Sequence, residues 1–229
     1  MKLSAVLTTS LLLAAPLTGA QAQSANDYAS IAAYYGNSMY AVTITNITRG
    51  SSFTPILVAS HRPGVELFEL GKAASDELAA MAEGGDTMPL EDMLRDSGRL
   101  VGTGHSQGLL GPGQSVTVEV PAGNANRISL AAMILPTNDG FIALNGVEVP
   151  RFGSQTYRVP GYDAGSEPND ELCVSIPGPL CGGVGGSSET EDDEGFVHIH
   201  AGIHGIGDLS APDYDWRNPV ATIKVERVR

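Results

Sequence analysis

Polar and apolar residues alternate with period two along residues 40–45 (YAVTIT), 116–120 (VTVEV) and 221–226 (ATIKVE). Such alternation buries one face of a strand and solvates the other, which predicts antiparallel sheet. Residues 56–59 (ILVA), 128–135 (ISLAAMIL), 141–144 (FIAL) and 196–200 (FVHIH) predict further short strands. Turn signals separate them at Asn138-Asp139-Gly140, Pro160-Gly161, Pro177-Gly178 and Asn218-Pro219. One stretch has helical spacing instead. Leu70, Ala74, Leu78 and Met81 recur around a helix predicted over 72–83, and Gly84-Gly85 stops it. Residues 89–95 predict one further turn or two, starting near Asp86 or Thr87. Many short strands without alternating βα units predict an all-β antiparallel sandwich, with a short helical insertion after the second strand.

Composition agrees with that class. The 229 residues include 28 Gly and 14 Pro, too many breakers for a helical bundle. A formal charge of −13 argues against duplex nucleic acid or an anionic membrane as partner, and suits an acidic protein that recruits cations. Residues 3–17 are almost wholly apolar behind Lys2, and Ala20-Gln21-Ala22 fits a signal-peptidase site. Residues 1–22 therefore read as a signal peptide, 23–38 as a flexible lead-in and 39–229 as the folded domain. The apolar run is too short for a transmembrane span. The expected location is periplasmic or secreted. In that compartment Cys173 and Cys181, the only two cysteines, read as a disulfide closing a short Pro-Gly loop. Residues 182–194 (GGVGGSSETEDDE) read as a solvated loop of low complexity.

Three constellations are candidates for chemistry. Gly104-His105-Ser106-Gln107-Gly108 matches the GxSxG nucleophile elbow, which needs a buried strand before it and a helix after it. Glycines precede the serine and Gly111-Pro112-Gly113 follows, so an esterase reading is rejected and no enzyme activity is expected. Residues 163–171 (DAGSEPNDE) hold four carboxylates, Asp163, Glu167, Asp170 and Glu171. They suit either a calcium ion, which takes six to eight oxygens, or an acidic turn. An EF-hand does not fit, because Pro168 falls where its glycine is needed; Asp139 could contribute from a second loop. In residues 196–205 (FVHIHAGIHG), His198 and His200 would share one strand face, about 7 Å apart. With His204 and His61 they form a candidate copper or zinc set, since both metals accept imidazole.

Residues 40–45, Phe53-Thr54-Pro55, the helical stretch 73–95, residues 136–141 (PTNDGF), residues 162–167 (YDAGSE) and residues 214–221 (YDWRNPVA) together resemble the spondin N-terminal domain, as in F-spondin and mindin. The likeness runs over 38–229. The resemblance implies a C2-like, eight-stranded antiparallel β-sandwich holding one calcium. Its implied ligands are Asp139, Asp163 and Glu167, the last a departure because the family has Asp there. The animal relatives are matrix proteins with thrombospondin repeats, which this chain lacks, so their partners do not transfer. The His-Ile-His-x-x-x-His segment looks like the bacterial branch of the family, and the calcium motif says nothing about it. Two functions follow as expectations: an exported, calcium-binding adhesion-type module for an unidentified envelope or extracellular ligand, or an exported copper or zinc binder.

Overall fold

The computed structural model describes residues 38–186 and 193–228. The signal-peptide reading, most of the lead-in, and Glu191 and Asp192 of the acidic run lie outside them. The period-two segments form the first sheet. It consists of β1 (Met39–Asn46), β5 (Ser115–Pro121), β8 (Ser154–Val159) and β11 (Ala221–Arg227) in the order β5-β1-β11-β8. Val42 and Ile44 of β1, Val118 and Val120 of β5, and Ile223 and Val225 of β11 all point inward and are buried. The intervening threonines face out, where Thr43 and Thr45 hydrogen-bond across to Thr117 and Ser115 of β5.

The second sheet contains β2 (Ser52–Phe53), β3 (Leu57–His61), β4 (Leu100–His105), β6 (Arg127–Leu135), β7 (Gly140–Glu148), β9 (Gly161–Asp163) and β10 (His198–Ile199). Its order is β10-β9-β7-β6-β3-β4, with β2 beside β6, and every pairing in both sheets is antiparallel. Eight of these strands have five residues or more; β2, β9 and β10 are shorter. The fold is the expected all-β sandwich.

The continuous apolar run of β6 has a physical cause. One face, carrying Ile128, Leu130, Ala132 and Ile134, packs on the first sheet. The other face lies under the helical insertion, where Ala131 of β6 and Phe141 and Ala143 of β7 meet Leu78, Met81, Leu90 and Leu94. A strand covered on both sides cannot alternate.

That insertion is two helices rather than one helix and a turn: α1 (Asp76–Gly84) and α2 (Met88–Asp96). Ser75 caps α1 by accepting from the Leu78 amide, and Gly85 ends it at φ 72°, donating to Ala80 and Met81 carbonyls. Leu70, predicted on the packed face, is exposed and precedes the helix. A third helical turn, α3 (Ala211–Tyr214), leads into β11.

The GxSxG reading needs one correction. A strand, β4, does precede Ser106, because Gly102 and Gly104 sit where a Cβ would come within 2.8 Å of Pro121 and of Val118 and the Glu119 carbonyl. No helix follows, and the Ser106 hydroxyl is buried and accepts from the Ile56 amide at 2.9 Å. Its role is structural. The cysteines form the expected disulfide, Cys173–Cys181.

Candidate functional site

The polar chemistry gathers at one end of the second sheet. Gly140 of β7, Asp163 of β9 and His198 of β10 stand in one row across three strands. The β6–β7 turn is closed by Thr137, whose hydroxyl donates to the Ile134 carbonyl at 2.5 Å and accepts from the Gly140 amide at 2.9 Å. This closure aims Asp139 at the loop after β9. There Asp139 Oδ2 accepts from the amides of Ser166 and Glu167 at 2.8 and 3.1 Å. Asn138 ties the same turn further along, accepting from the Glu171 amide at 3.3 Å and donating to Asp170 at 2.9 Å.

The Asp-Ala-Gly sequence has a backbone reason. Gly165 adopts φ 62°, and a Cβ there would lie 2.4 Å from the Phe196 carbonyl oxygen. This close approach folds the loop back on Asp163, whose Oδ1 accepts from the Gly165 amide at 2.8 Å and whose Oδ2 accepts from Asn169 at 2.7 Å. Asp139, Asp163 and Glu167 are all fully buried. Asp139 Oδ1 has no hydrogen-bond partner.

Two carboxyls buried side by side cannot both carry charge cheaply. Burial, and then the charge of Asp163, push Asp139 up to about 8. Burial also raises Asp163, against the hydrogen bonds from Asn169 and Gly165. Full ionisation of the pair is therefore costly. Glu167 meets Asp139 through its backbone amide, while the charge of its carboxylate falls on Glu83 at the end of α1. Burial first, and Glu167 in addition, push Glu83 up to about 6. Sequence reasoning missed Glu83; only the packing of the helical insertion delivers it. The donor chemistry of Asp139 and Asp163 fits a hard cation, and the orphaned Asp139 Oδ1 supplies an oxygen for it. Among the described residues, no three His, Cys, Asp or Glu side chains are gathered closely enough to hold a metal ion.

The histidines divide. His61 is buried on β3, between the Ser129 hydroxyl at 2.9 Å and the Arg62 carbonyl at 3.0 Å. It pairs with Arg127, which pairs with Glu148. Asp163 and His198 line up with Gly140, eight residues earlier on β7. At about 3.3 Å per residue the separation is roughly 25 Å, so His61 does not join the other three. The strand reading of the His-Ile-His segment also shortens, because β10 ends at Ile199 and His200 lies just past it. His198, His200 and His204 nonetheless line one cavity of about 180 Å³, with Asn138, Asn169 and Glu194. His198 Nδ1 lies 3.7 Å from Asp163 Oδ1, and His200 Nε2 lies 3.9 Å from Asp163 Oδ2.

One side chain in the acidic run does something composition does not announce. The buried Glu171 carboxylate accepts from three successive backbone amides, His204 at 2.5 Å, Gly205 at 2.7 Å and Ile206 at 3.0 Å. Such a nest fixes an anion by oriented N–H groups. It pins the loop that carries His204 into the cavity wall.

Fold and site together define a β-sandwich module whose polar groups are collected on loops at one end. The Spondin_N family model matches residues 37–168, more than half of the chain, and the chain belongs to the spondin N-terminal domain family. No curated protein matches it. The match includes Asp139, Asp163 and Glu167 and stops before the disulfide and the histidine segment. Membership indicates an extracellular adhesion-type module, and the Cys173–Cys181 disulfide fits an exported protein. Among the described residues no helix is long and apolar enough to cross a membrane.

Proposed function

We propose that the chain is a non-enzymatic binding module, exported to the periplasm or the medium, whose loop end is organised by one calcium ion at Asp139 and Asp163. The observation that carries this reading is the buried Asp139–Asp163 pair, with Asp139 Oδ1 lacking any hydrogen-bond partner. Glu167, whose amide already meets Asp139, is the third carboxylate of the proposed set. A divalent cation offsets the repulsion that burial otherwise imposes on the two carboxylates. The second reading, a copper or zinc site on His198 and His200 with His204, draws on the shared cavity. It is weaker, because the nitrogens of His198 and His200 that converge do so on the Asp163 carboxylate.

The test is calorimetric titration and thermal unfolding of untagged, chelator-treated protein. Calcium at a hundredfold excess over Kd should add about 2.7 kcal/mol, and Asp163→Asn should abolish the response. An Asp163→Asn protein still stabilised by calcium sinks the assignment.

A further inference from the structure

The His-Ile-His segment has a role that follows from its register and from its hydrogen bonds. Because His198 pairs with Asp163 across β10 and β9, their side chains stand on the same face of the sheet. His198 Nδ1 lies 3.2 Å from the Phe196 carbonyl and 3.7 Å from Asp163 Oδ1. The carbonyl can only accept, so this nitrogen carries the proton of the ring. His200 has the opposite tautomer. Its Nδ1 accepts from the Gly202 amide at 2.9 Å, which leaves the proton on Nε2.

That Nε2 is buried and without a hydrogen-bond partner, and it faces Asp163 Oδ2 at 3.9 Å. The ring cannot swing away. The Trp216 ring packs on it with centroids 5.0 Å apart, and a Cβ on Gly140 would come within 3.0 Å of its Cδ2. The His200 side chain is only 2% exposed, so water does not reach it from outside. The two imidazoles thus stand one beside each oxygen of the same carboxylate, at 3.7 and 3.9 Å, just beyond direct hydrogen-bond range.

A ligating imidazole offers a lone pair at the nitrogen that faces the metal. Here the nitrogens that converge carry protons, and what lies between them is a carboxylate. We propose that His198 and His200 are positioning residues that flank the Asp163 carboxylate, and that they set the affinity of the acidic site for calcium instead of binding a metal themselves. This role rests on the calcium reading above. An imidazole packed beside each oxygen limits where a ligand carboxylate can turn, and its N–H dipole favours the ionised form. Outer-shell partners of this kind are worth about 10- to 100-fold in metal affinity.

The experiment measures calcium affinity by titration calorimetry on the untagged chain, together with the melting temperature in chelator. The variants are His200→Leu, His200→Gln and His198→Ala. His200→Leu should weaken calcium about 10- to 100-fold. His200→Gln, whose amide can donate where Nε2 did, should recover most of that loss. His198→Ala, at a partly exposed position that tolerates truncation, should weaken calcium by a smaller factor and leave the melting temperature in chelator unchanged. It carries the test if His200→Leu fails to fold. Wild type that takes up no calcium overturns the calcium reading and this role with it. Wild-type uptake with unaltered affinity in the folded His200→Leu and His198→Ala variants overturns the positioning role alone. So does an equal loss in His200→Leu and His200→Gln, which would mean packing and not the N–H. Tight copper or zinc uptake abolished by His198→Ala would overturn it in favour of direct ligation.

Discussion

Glu171 should prove more important to stability than any other side chain of its acidic segment. Its carboxylate accepts from the amides of residues 204, 205 and 206 at 2.5, 2.7 and 3.0 Å, and its own backbone sits at φ 58°, in the left-handed region. Hydrogen bonds to a charged group are worth about 1.5–3 kcal/mol each. Simple addition overstates the loss, because residues 204–206 are exposed and water can replace the carboxylate at their amides. The expected cost of Glu171→Ala is therefore about 2–4 kcal/mol. Alanine keeps the left-handed strain, whereas Glu171→Gly relieves it and should recover about 1 kcal/mol. The difference between these variants reads the strain, and the remainder reads the nest. Urea denaturation gives both numbers, and hydrogen exchange should show the amides of 204–206 losing protection selectively. A Glu171→Ala protein less than 1 kcal/mol weaker, with those amides exchanging at the wild-type rate, would refute the reasoning.

Two further outcomes are expected. Reducing Cys173–Cys181, which closes a loop of sequence separation eight, should cost about 2–3 kcal/mol while the sandwich stays cooperatively folded in calorimetry; a reduced protein already unfolded at 25 °C would contradict this. Burial holds the His61 imidazole below its ordinary range, against the raising effect of the Arg62 carbonyl. As pH falls below about 6.5 the unfolded histidine takes a proton that the folded one still refuses, so this contribution is complete above that pH and is lost on acidification. His61→Gln should flatten the stability profile below about pH 6.5, by at most about 1.4 kcal/mol per pH unit; an unchanged slope would exclude His61 as its source.

What was legible in the sequence is what obeys a period. Alternation located β1, β5 and β11, because each has one wet face, and the Gly84-Gly85 stop marks the end of α1, whose start at the Ser75 cap lies later than predicted. Elements without a period escaped. β8 (SQTYRV) is an edge strand exposed along most of its length, so no apolar row marks it. β4 hides behind Gly102 and Gly104, which look like breakers but permit close approach to β5. β9 is three residues long, shorter than any window that could reveal alternation, and of the strand predicted over 196–200 only β10 forms.

The acidic segment 163–171 shows why composition finds a site more readily than it assigns one. Its four carboxylates look equivalent as a row of charges, yet the backbone sends each to a different neighbour. Gly165, left-handed against Phe196, turns Asp163 inward to face Asp139. Two residues after that turn, Glu167 gives its amide to Asp139 and its charge to Glu83, a residue 84 positions away in sequence. Asp170 accepts from the Leu172 amide at 2.9 Å and from Asn138 at 2.9 Å, so it shapes the loop. Glu171 enters the amide nest and never meets the other three. Mutual repulsion is thus relieved by distributing the carboxyls among amides and separate loops, and the Asp139–Asp163 pair retains a demand for positive charge. That demand crosses from the β6–β7 turn to the loop after β9. The histidines follow the same logic: their i, i+2 spacing fixed the shared face, while the strand opposite, which places Asp163 between the two rings, decided what that face would touch.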